Sequence, residues 1–419
     1  MAHLLFELIL WILVLDFVFE RWLDRLNLKH LSPELPAALS GIYNAEKYAA
    51  SQQYLKANSR LSMVQSAFVF LLVLAMLLFH GFAFLDEVVR KLTPNPYGQT
   101  LLFFGILGFS LDVLTLPFQW YGTFVIEEKF GFNKTTVPVF VTDKLKMWLV
   151  SGVVGGGLLL FIQWAYTAGG AVFWLIAFAG VSLFMIFMAM FYTSLIVPLF
   201  NKLRPLEEGE LKTAIEKLAA QTGFPLTGIY IMDGSKRSTK ANAYFSGLGP
   251  KKKIILYDTL LEELSTEEIV AVLAHEIGHY RKKHIYKGLV VSLAEMLVLF
   301  FLLGKALSMP EFSQAIGVQN ASFYAGLLAF SLLYAPVSFI LGIVENVLSR
   351  RHEYQADAFA VSAGLGKSLV NALIRLSVSS LSNLQPHPLY VFFHYSHPTL
   401  LQRKSAIEKQ IEKLNTTPS

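Results

Sequence analysis

Ser265-Thr266-Glu267-Glu268-Ile269-Val270-Ala271-Val272-Leu273-Ala274-His275-Glu276-Ile277-Gly278-His279-Tyr280-Arg281-Lys282-Lys283-His284 is the stretch on which the rest of the chain turns. Ser265 and Glu268 form a capping box, each side chain satisfying the other residue's free amide, so a helix starts here. Its apolar face carries Ile269, Val272 and Leu273. His275 and His279 are four residues apart and project from one helix face about one turn apart. Two imidazoles so placed can hold one zinc ion. Zinc lowers the pKa of a bound water from 15.7 to about 7, and Glu276 can take the proton. The plain alternative is two surface histidines on a helix that leads into a membrane span.

Composition favours the membrane. The chain has 419 residues, of which 54% are hydrophobic and 16% charged, and it has no cysteine. Without cysteine there are no disulfides, thiolate zinc sites, iron–sulfur clusters or cysteine nucleophiles, so a metal must be held by His, Asp or Glu. The net charge of +5 is too small and too interspersed to argue for nucleic acid.

Seven stretches are apolar on every side over roughly the length that crosses a bilayer, near 4–22, 63–85, 101–125, 147–167, 171–199, 288–308 and 323–348. The first reads as a retained helix and not a signal peptide, because no basic flank precedes it and no small-residue cleavage site follows. Lys and Arg alternate from side to side: six follow the first span, two the second, four the third, none the fourth, fourteen the fifth, none the sixth and eight the seventh. The positive-inside rule then puts the N-terminus outside and the C-terminus in the cytoplasm. Asp16, Asp112, Glu295 and Glu345 fall within or near spans, where a charge is costly. Asp112 and Glu295 either face a watery interior or pair locally, and Asp16 lies near the cytoplasmic end. Pro117, Pro198 and Pro336 are expected to kink their helices or mark their ends.

Residues 205–287 have soluble character. Pro205 is expected to open an amphipathic helix carrying Leu211, Ala214, Ile215, Leu218 and Thr222, ended by Gly223. Three strand-like runs follow, Gly228–Met232, Asn242–Ser246 and Lys253–Tyr257, with turns at Asp233-Gly234 and Gly247-Leu248-Gly249-Pro250. A third metal ligand is sought after the seventh span, in Ser349-Arg350-Arg351-His352-Glu353-Tyr354-Gln355-Ala356-Asp357. Glu353 and Asp357 share a helix face, so Glu353 can ligate while Asp357 orients a histidine. His352 is a rival ligand, and Arg350 and Arg351 are alternative partners for both carboxylates.

These motifs, with His394-Tyr395-Ser396-His397-Pro398 and Tyr43-Asn44-Ala45-Glu46-Lys47-Tyr48, resemble those of the integral-membrane zinc metalloproteases of the Ste24 type, the CAAX prenyl proteases of family M48. The resemblance covers nearly the whole chain. It implies one zinc held by His275, His279 and Glu353, Glu276 as base, Asp357 behind a histidine, and His397 and Arg403 stabilising the oxyanion. For His397 and Arg403 the bland reading is a structural cap on the last helix, and His394 is a weaker substitute. By likeness to related zinc proteases, Asn242, Ala243 and Tyr244 lie on an edge strand that pairs with substrate, the alternative being an ordinary hairpin. Lys240 departs from that pattern, which puts the local substrate contacts in doubt. The family fold further implies a large chamber between the helices, with Asp112 and Glu295 facing it.

The fold expected is an all-α polytopic membrane protein of seven transmembrane helices with a cytoplasmic α+β zinc-protease domain. Its parts are 1–204 with five spans, the insert 205–287, spans six and seven in 288–348, and a C-terminal part 349–419 that completes the site. The expected activity is zinc-dependent cleavage near the C-terminus of lipid-modified or membrane-associated peptides. A non-catalytic quality-control protein that binds clients is the alternative. An intramembrane site-2-type protease fits less well, because the basic run Tyr280–His284 sets the motif at the membrane surface. The partners implied are a peptide or protein substrate, prenylated or not, and the lipid bilayer, with no nucleic acid and a monomeric chain. The membrane is a bacterial inner membrane or the endoplasmic reticulum.

Overall fold

The computed structural model describes residues 1–32, 34–35, 39–247 and 252–416. Sixteen α-helices are described: α1 Ala2–His30, α2 Ala45–Leu78, α3 Gly81–Leu92, α4 Pro96–Tyr121, α5 Val137–Gly169, α6 Phe173–Leu195, α7 Val197–Phe200, α8 Glu210–Thr222, α9 Asp258–Glu263, α10 Thr266–Arg281, α11 His284–Leu307, α12 Glu311–Ala315, α13 Phe323–Ser362, α14 Gly366–Ser379, α15 Pro388–His394 and α16 Leu400–Thr416. Four strands are described: β1 Leu203–Pro205, β2 Leu226–Met232, β3 Ala243–Ser246 and β4 Lys252–Tyr257.

Among the described residues, six helical stretches are long and apolar enough to cross a membrane. The fourth, Val137–Phe200, is 64 residues long. It contains α5 and α6, separated by a short 3-10 turn at Gly170–Val172 where Gly170 has φ 49, and ends in the short α7. α5 and α6 pack on each other through Ala165, Phe173 and Ala177. A Cβ on Gly180 would lie 2.1 Å from the Phe161 ring, so that glycine is required by the contact. Large apolar side chains on the outer faces, Val153 and Leu183 among them, remain exposed, as lipid-facing positions do in the absence of lipid.

Several expectations need correction. The second apolar stretch does not run unbroken to 85. Helix α2 stops at Leu78, His80 takes the left-handed conformation, and α3 begins a separate amphipathic helix that buries Phe82, Leu85 and Val89. Pro205 does not open a helix. It ends the edge strand β1, where a residue without an N–H is tolerated, and α8 begins at Glu210. Gly223 does end α8, with φ 61. Asp112 is directly paired: Lys144 Nζ donates to it at 2.9 Å, Trp148 Nε1 at 2.8 Å and Gln119 Nε2 at 3.1 Å. Leu248, Gly249 and Pro250 of the expected turn lie outside the described residues. Pro117 is accommodated inside α4, just upstream of a π-helical segment at Gly122–Glu127.

The insert is a four-stranded sheet of order β1-β2-β4-β3. β2 and β4 are parallel, β1 and β3 antiparallel at the edges. Ile229, Ile254 and Leu256 pack with Ile215, Leu218, Ile269 and Leu273 into one core that also takes Ala360, Leu369 and Ile407 from the C-terminal part. The insert and the tail therefore form one folded body. The segment before β3 is stitched to the membrane helices: Lys134 N donates to Arg237 O, Arg237 pairs with Asp143 at 2.7 Å, and Lys240 Nζ donates to Glu127 at 2.9 Å and to Tyr54 Oη at 2.7 Å. Burial pulls the Lys240 pKa down, but these hydrogen bonds outweigh it and hold it above the usual lysine value.

α10 crosses α13 at Gly278. A Cβ there would sit 2.9 Å from Ala356 Cα and 3.0 Å from its carbonyl oxygen. Both obstacles are backbone and cannot swing aside. Gly278→Ala is therefore expected to destabilise the protein by about 1–3 kcal/mol through overpacking, against the roughly 1 kcal/mol that alanine favours in a helix. Gly342→Ala, in α13 with open space around the added carbon, is expected to leave stability unchanged or raised. Thermal melts in detergent check both; equal melting temperatures would mean that the crossing is not tight.

Candidate metal centre

The capping box at Ser265 is formed, with Ser265 N donating to Glu268 Oε2 at 2.9 Å and Glu268 N to Ser265 Oγ at 3.4 Å. It starts α10, which carries His275, Glu276 and His279. α13 brings Glu353 and Asp357 across the Gly278 contact. The two imidazoles and the Glu353 carboxylate form a group whose ligand atoms all lie within 4.8 Å of one another. His275 Nε2 and His279 Nε2 are 3.2 Å apart; Glu353 Oε2 lies 3.5 Å from the former and Oε1 3.2 Å from the latter.

The backs of both rings are held. Asp357 Oδ1 lies 2.8 Å from His275 Nδ1. A carboxylate only accepts, so Nδ1 carries the proton and Nε2 presents a lone pair. Arg403 Nη2 also lies 3.2 Å from that nitrogen but gives its hydrogen to Asp357 Oδ1 at 2.6 Å, with Nε donating to Oδ2 at 3.0 Å. Arg403 Nη1 stands 3.4 Å from Glu353 Oε2. Burial alone would lower the Arg403 pKa; the Asp357, Glu353 and Glu276 carboxylates outweigh it and raise it. The guanidinium is thus a fixed positive charge beneath two carboxylates.

Zinc fits this donor set. Glu353 is 3% exposed, and its Oε2 is buried without a hydrogen-bond donor. Oε2 has only the Arg403 charge at 3.4 Å and the carboxylate faces two imidazole nitrogens, an arrangement that a metal cation would favour.

The structure places the other expected residues as follows. His397 is 62% exposed, with Nε2 3.4 Å from Glu353 Oε1, on the open side of the group. His352, the rival ligand, is turned away and stacks on His284 with centroids 3.9 Å apart. Arg350 donates to the Val391 and Tyr395 carbonyls, Arg351 is exposed, and neither pairs with Glu353 or Asp357 in the bonds described. His394 lies by Glu20, 3.3 Å away. Asn242, Ala243 and Tyr244 do stand at the sheet edge, but the Tyr244 ring packs against Val197, Met232 and Ile255. A cavity of about 430 Å³ opens beside His279, lined by Lys287, Val291, Ser292, Glu345 and His352. Glu295 and Glu345 meet each other within the membrane helices. Two residues that sequence reasoning missed are Lys240 as a tether and His284, which lies behind His279.

A membrane-embedded protein that aims a His-Glu-x-x-His helix and a carboxylate at one point belongs to the class of membrane metallopeptidases. Residues 24–202 match the family described as CAAX prenyl protease N-terminal, five membrane helices, and residues 205–411 match peptidase family M48. CAAX prenyl protease 1 of Saccharomyces cerevisiae is 36% identical, over 96% of this chain and 94% of its own length. A CAAX prenyl protease 1 homolog of Arabidopsis thaliana is 34% identical over 99% and 100%, and one of Homo sapiens 32% over 89% and 88%. The crystal structure of S. mikatae Ste24p matches with a TM-score of 0.92 at 33% identity, covering 96% of this chain and 99% of that one. The chain belongs to the Ste24-type CAAX prenyl protease family of M48 and is a zinc metalloendopeptidase of the membrane.

Two substitutions read the centre directly. Glu353→Ala is expected to lose zinc, seen as metal content per chain after gel filtration. Asp357→Asn is expected to weaken zinc binding about 10–100-fold, measured by chelator competition. Full zinc content in Glu353→Ala would remove that residue from the ligand set.

Proposed function

We propose that His275, His279 and Glu353 hold one zinc per chain and that Glu276 is the catalytic base for cleavage near the C-terminus of CAAX-type or other membrane-associated peptides. The convergence of the two Nε2 atoms on the buried Glu353 carboxylate carries this reading, His275 Nε2 at 3.5 Å from Oε2 and His279 Nε2 at 3.2 Å from Oε1. The zinc would act as a Lewis acid, polarising the scissile carbonyl and acidifying water. Glu276 follows His275 on α10 and is partly exposed beside the two imidazoles. It accepts the proton of the attacking water and returns it to the leaving amine. His397, exposed beside Glu353, is the donor for the oxyanion that develops on the carbonyl.

Arg403 takes a different part from the one the resemblance implies. Its hydrogen bonds are spent on Asp357, so we assign it to fixing Asp357 and thereby the His275 tautomer, with its charge acting on the reaction from behind the ligands. The outer edge of β3, at Ala243–Ser246, offers main-chain groups to an extended peptide. Lys240 holds the start of that strand against α2 and the π-helical turn. The alternative of a non-catalytic client-binding protein is not favoured, since every residue type the chemistry needs is in place.

Seven crossings follow if α5 and α6 each span, and the alternation of basic residues then sets the metal centre on the cytoplasmic side. The substrate class is carried over from the relatives' names. An assay of one peptide in prenylated and unprenylated forms, by the purified full-length protein in detergent, tests it. Glu276→Gln is expected to keep zinc and lose at least about 100-fold in kcat. Undiminished hydrolysis in that variant would end the proposal, and equal cleavage of both peptides would end the prenyl requirement alone.

A further inference from the structure

His284 stands immediately behind the metal centre, and no step above uses it. It is the first residue of α11, five after His279. Lys283 before it takes the left-handed conformation with φ 57, which turns the chain so that His284 comes back beneath His279. Its ring is 5% exposed and makes two hydrogen bonds: Nδ1 is 3.1 Å from His279 Nδ1, and Nε2 is 2.9 Å from Gln355 Oε1. His352 stacks on its face at 3.9 Å and 14°.

The proton positions in this chain are linked. The Gln355 amide oxygen only accepts, so His284 Nε2 carries the hydrogen. A buried imidazole with no carboxylate partner is neutral and has a single N–H, so its Nδ1 is a lone pair. That lone pair faces His279 Nδ1, which must supply the hydrogen. His279 Nε2 is left as a lone pair, and it is this atom that lies 3.2 Å from Glu353 Oε1. The outcome for His279 is the one that Asp357 imposes on His275, reached with a neutral acceptor. A third carboxylate beside Glu353 and Asp357 would add negative charge that the single Arg403 does not balance.

We propose that His284 is a positioning residue for the metal: it fixes the His279 tautomer and ring plane through Nδ1, with Gln355 setting its own proton and His352 its orientation. The proposal rests on the ligand set put forward above.

The test uses the full-length protein in detergent and reads zinc affinity by competition with a chelator, alongside the melting temperature of the zinc-free form. His284→Leu removes the acceptor and is expected to raise the zinc Kd about 10–100-fold. His284→Asn sets an amide oxygen near the position of Nδ1 and is expected to bind zinc much closer to the unchanged protein. Equal affinity of the Leu and Asn variants overturns the proposal, whatever the zinc-free melting temperatures do. Should His284→Leu not fold, Gln355→Leu at an exposed position gives the same reading: a rise in Kd of about threefold or more supports the relay, and no rise overturns it. An unchanged protein that binds no zinc overturns the ligand set and this proposal with it. Zinc binding by the unchanged protein with Leu and Asn alike overturns this proposal alone.

Discussion

Everything at the metal centre depends on two helices touching backbone to backbone. α10 and α13 meet where Gly278 faces Ala356, with no room for a side chain between them. The glycine lies inside the histidine motif, one residue before His279. The same contact therefore sets the distance from the two imidazoles to Glu353 and Asp357. A helix pair held apart by ordinary side chains would need a longer ligand than glutamate to close the gap. Close packing here is thus a condition for the chemistry as much as for the core.

Around that contact the charges are arranged in layers. Nitrogen lone pairs and a carboxylate face the open side. Hydrogen-bond acceptors, Asp357 and His284, stand behind the rings. The Arg403 guanidinium lies deepest and offsets the carboxylates from below. Each buried side-chain polar atom in this stack has a hydrogen bond except Glu353 Oε2, which has only the Arg403 charge at 3.4 Å. In a low-dielectric interior an oxygen without a hydrogen bond is the costly exception. Its place marks where a cation would sit.

The parts of this site that are local in sequence were legible in advance. His275 and His279 are related by one helical turn, and so are Glu353 and Asp357; the capping box fixes where the first helix begins. The pairing of the two helices, a contact between residues about 80 apart, was legible only as a search for a third ligand after the seventh span, with His352 as a rival until the resemblance pointed to Glu353. His284 escaped notice because the left-handed turn at Lys283 breaks the helical period, and the Arg281-Lys282-Lys283-His284 run reads as a basic surface. Lys240 escaped because its partners, Glu127 and Tyr54, sit on membrane helices far back in the chain. Pro205 misled because proline serves equally at a helix start and on an edge strand. The merging of Val137–Phe200 into one apolar stretch shows the limit of hydropathy: the turn at Gly170 is what parts α5 from α6 within it.

α13 runs 40 residues without interruption from the membrane to the metal centre. At about 1.5 Å per residue it is a rod of roughly 60 Å, twice a bilayer's hydrocarbon thickness. One end is a membrane span and the other carries Glu353, the third ligand we propose. The catalytic machinery is consequently not a soluble module tethered to an anchor. No segment cut free of the membrane helices would keep the proposed donor set, and the sheet and α10 alone would hold the two histidines without Glu353. In this architecture anchorage and catalysis are properties of the same helix, and neither can be inherited without the other.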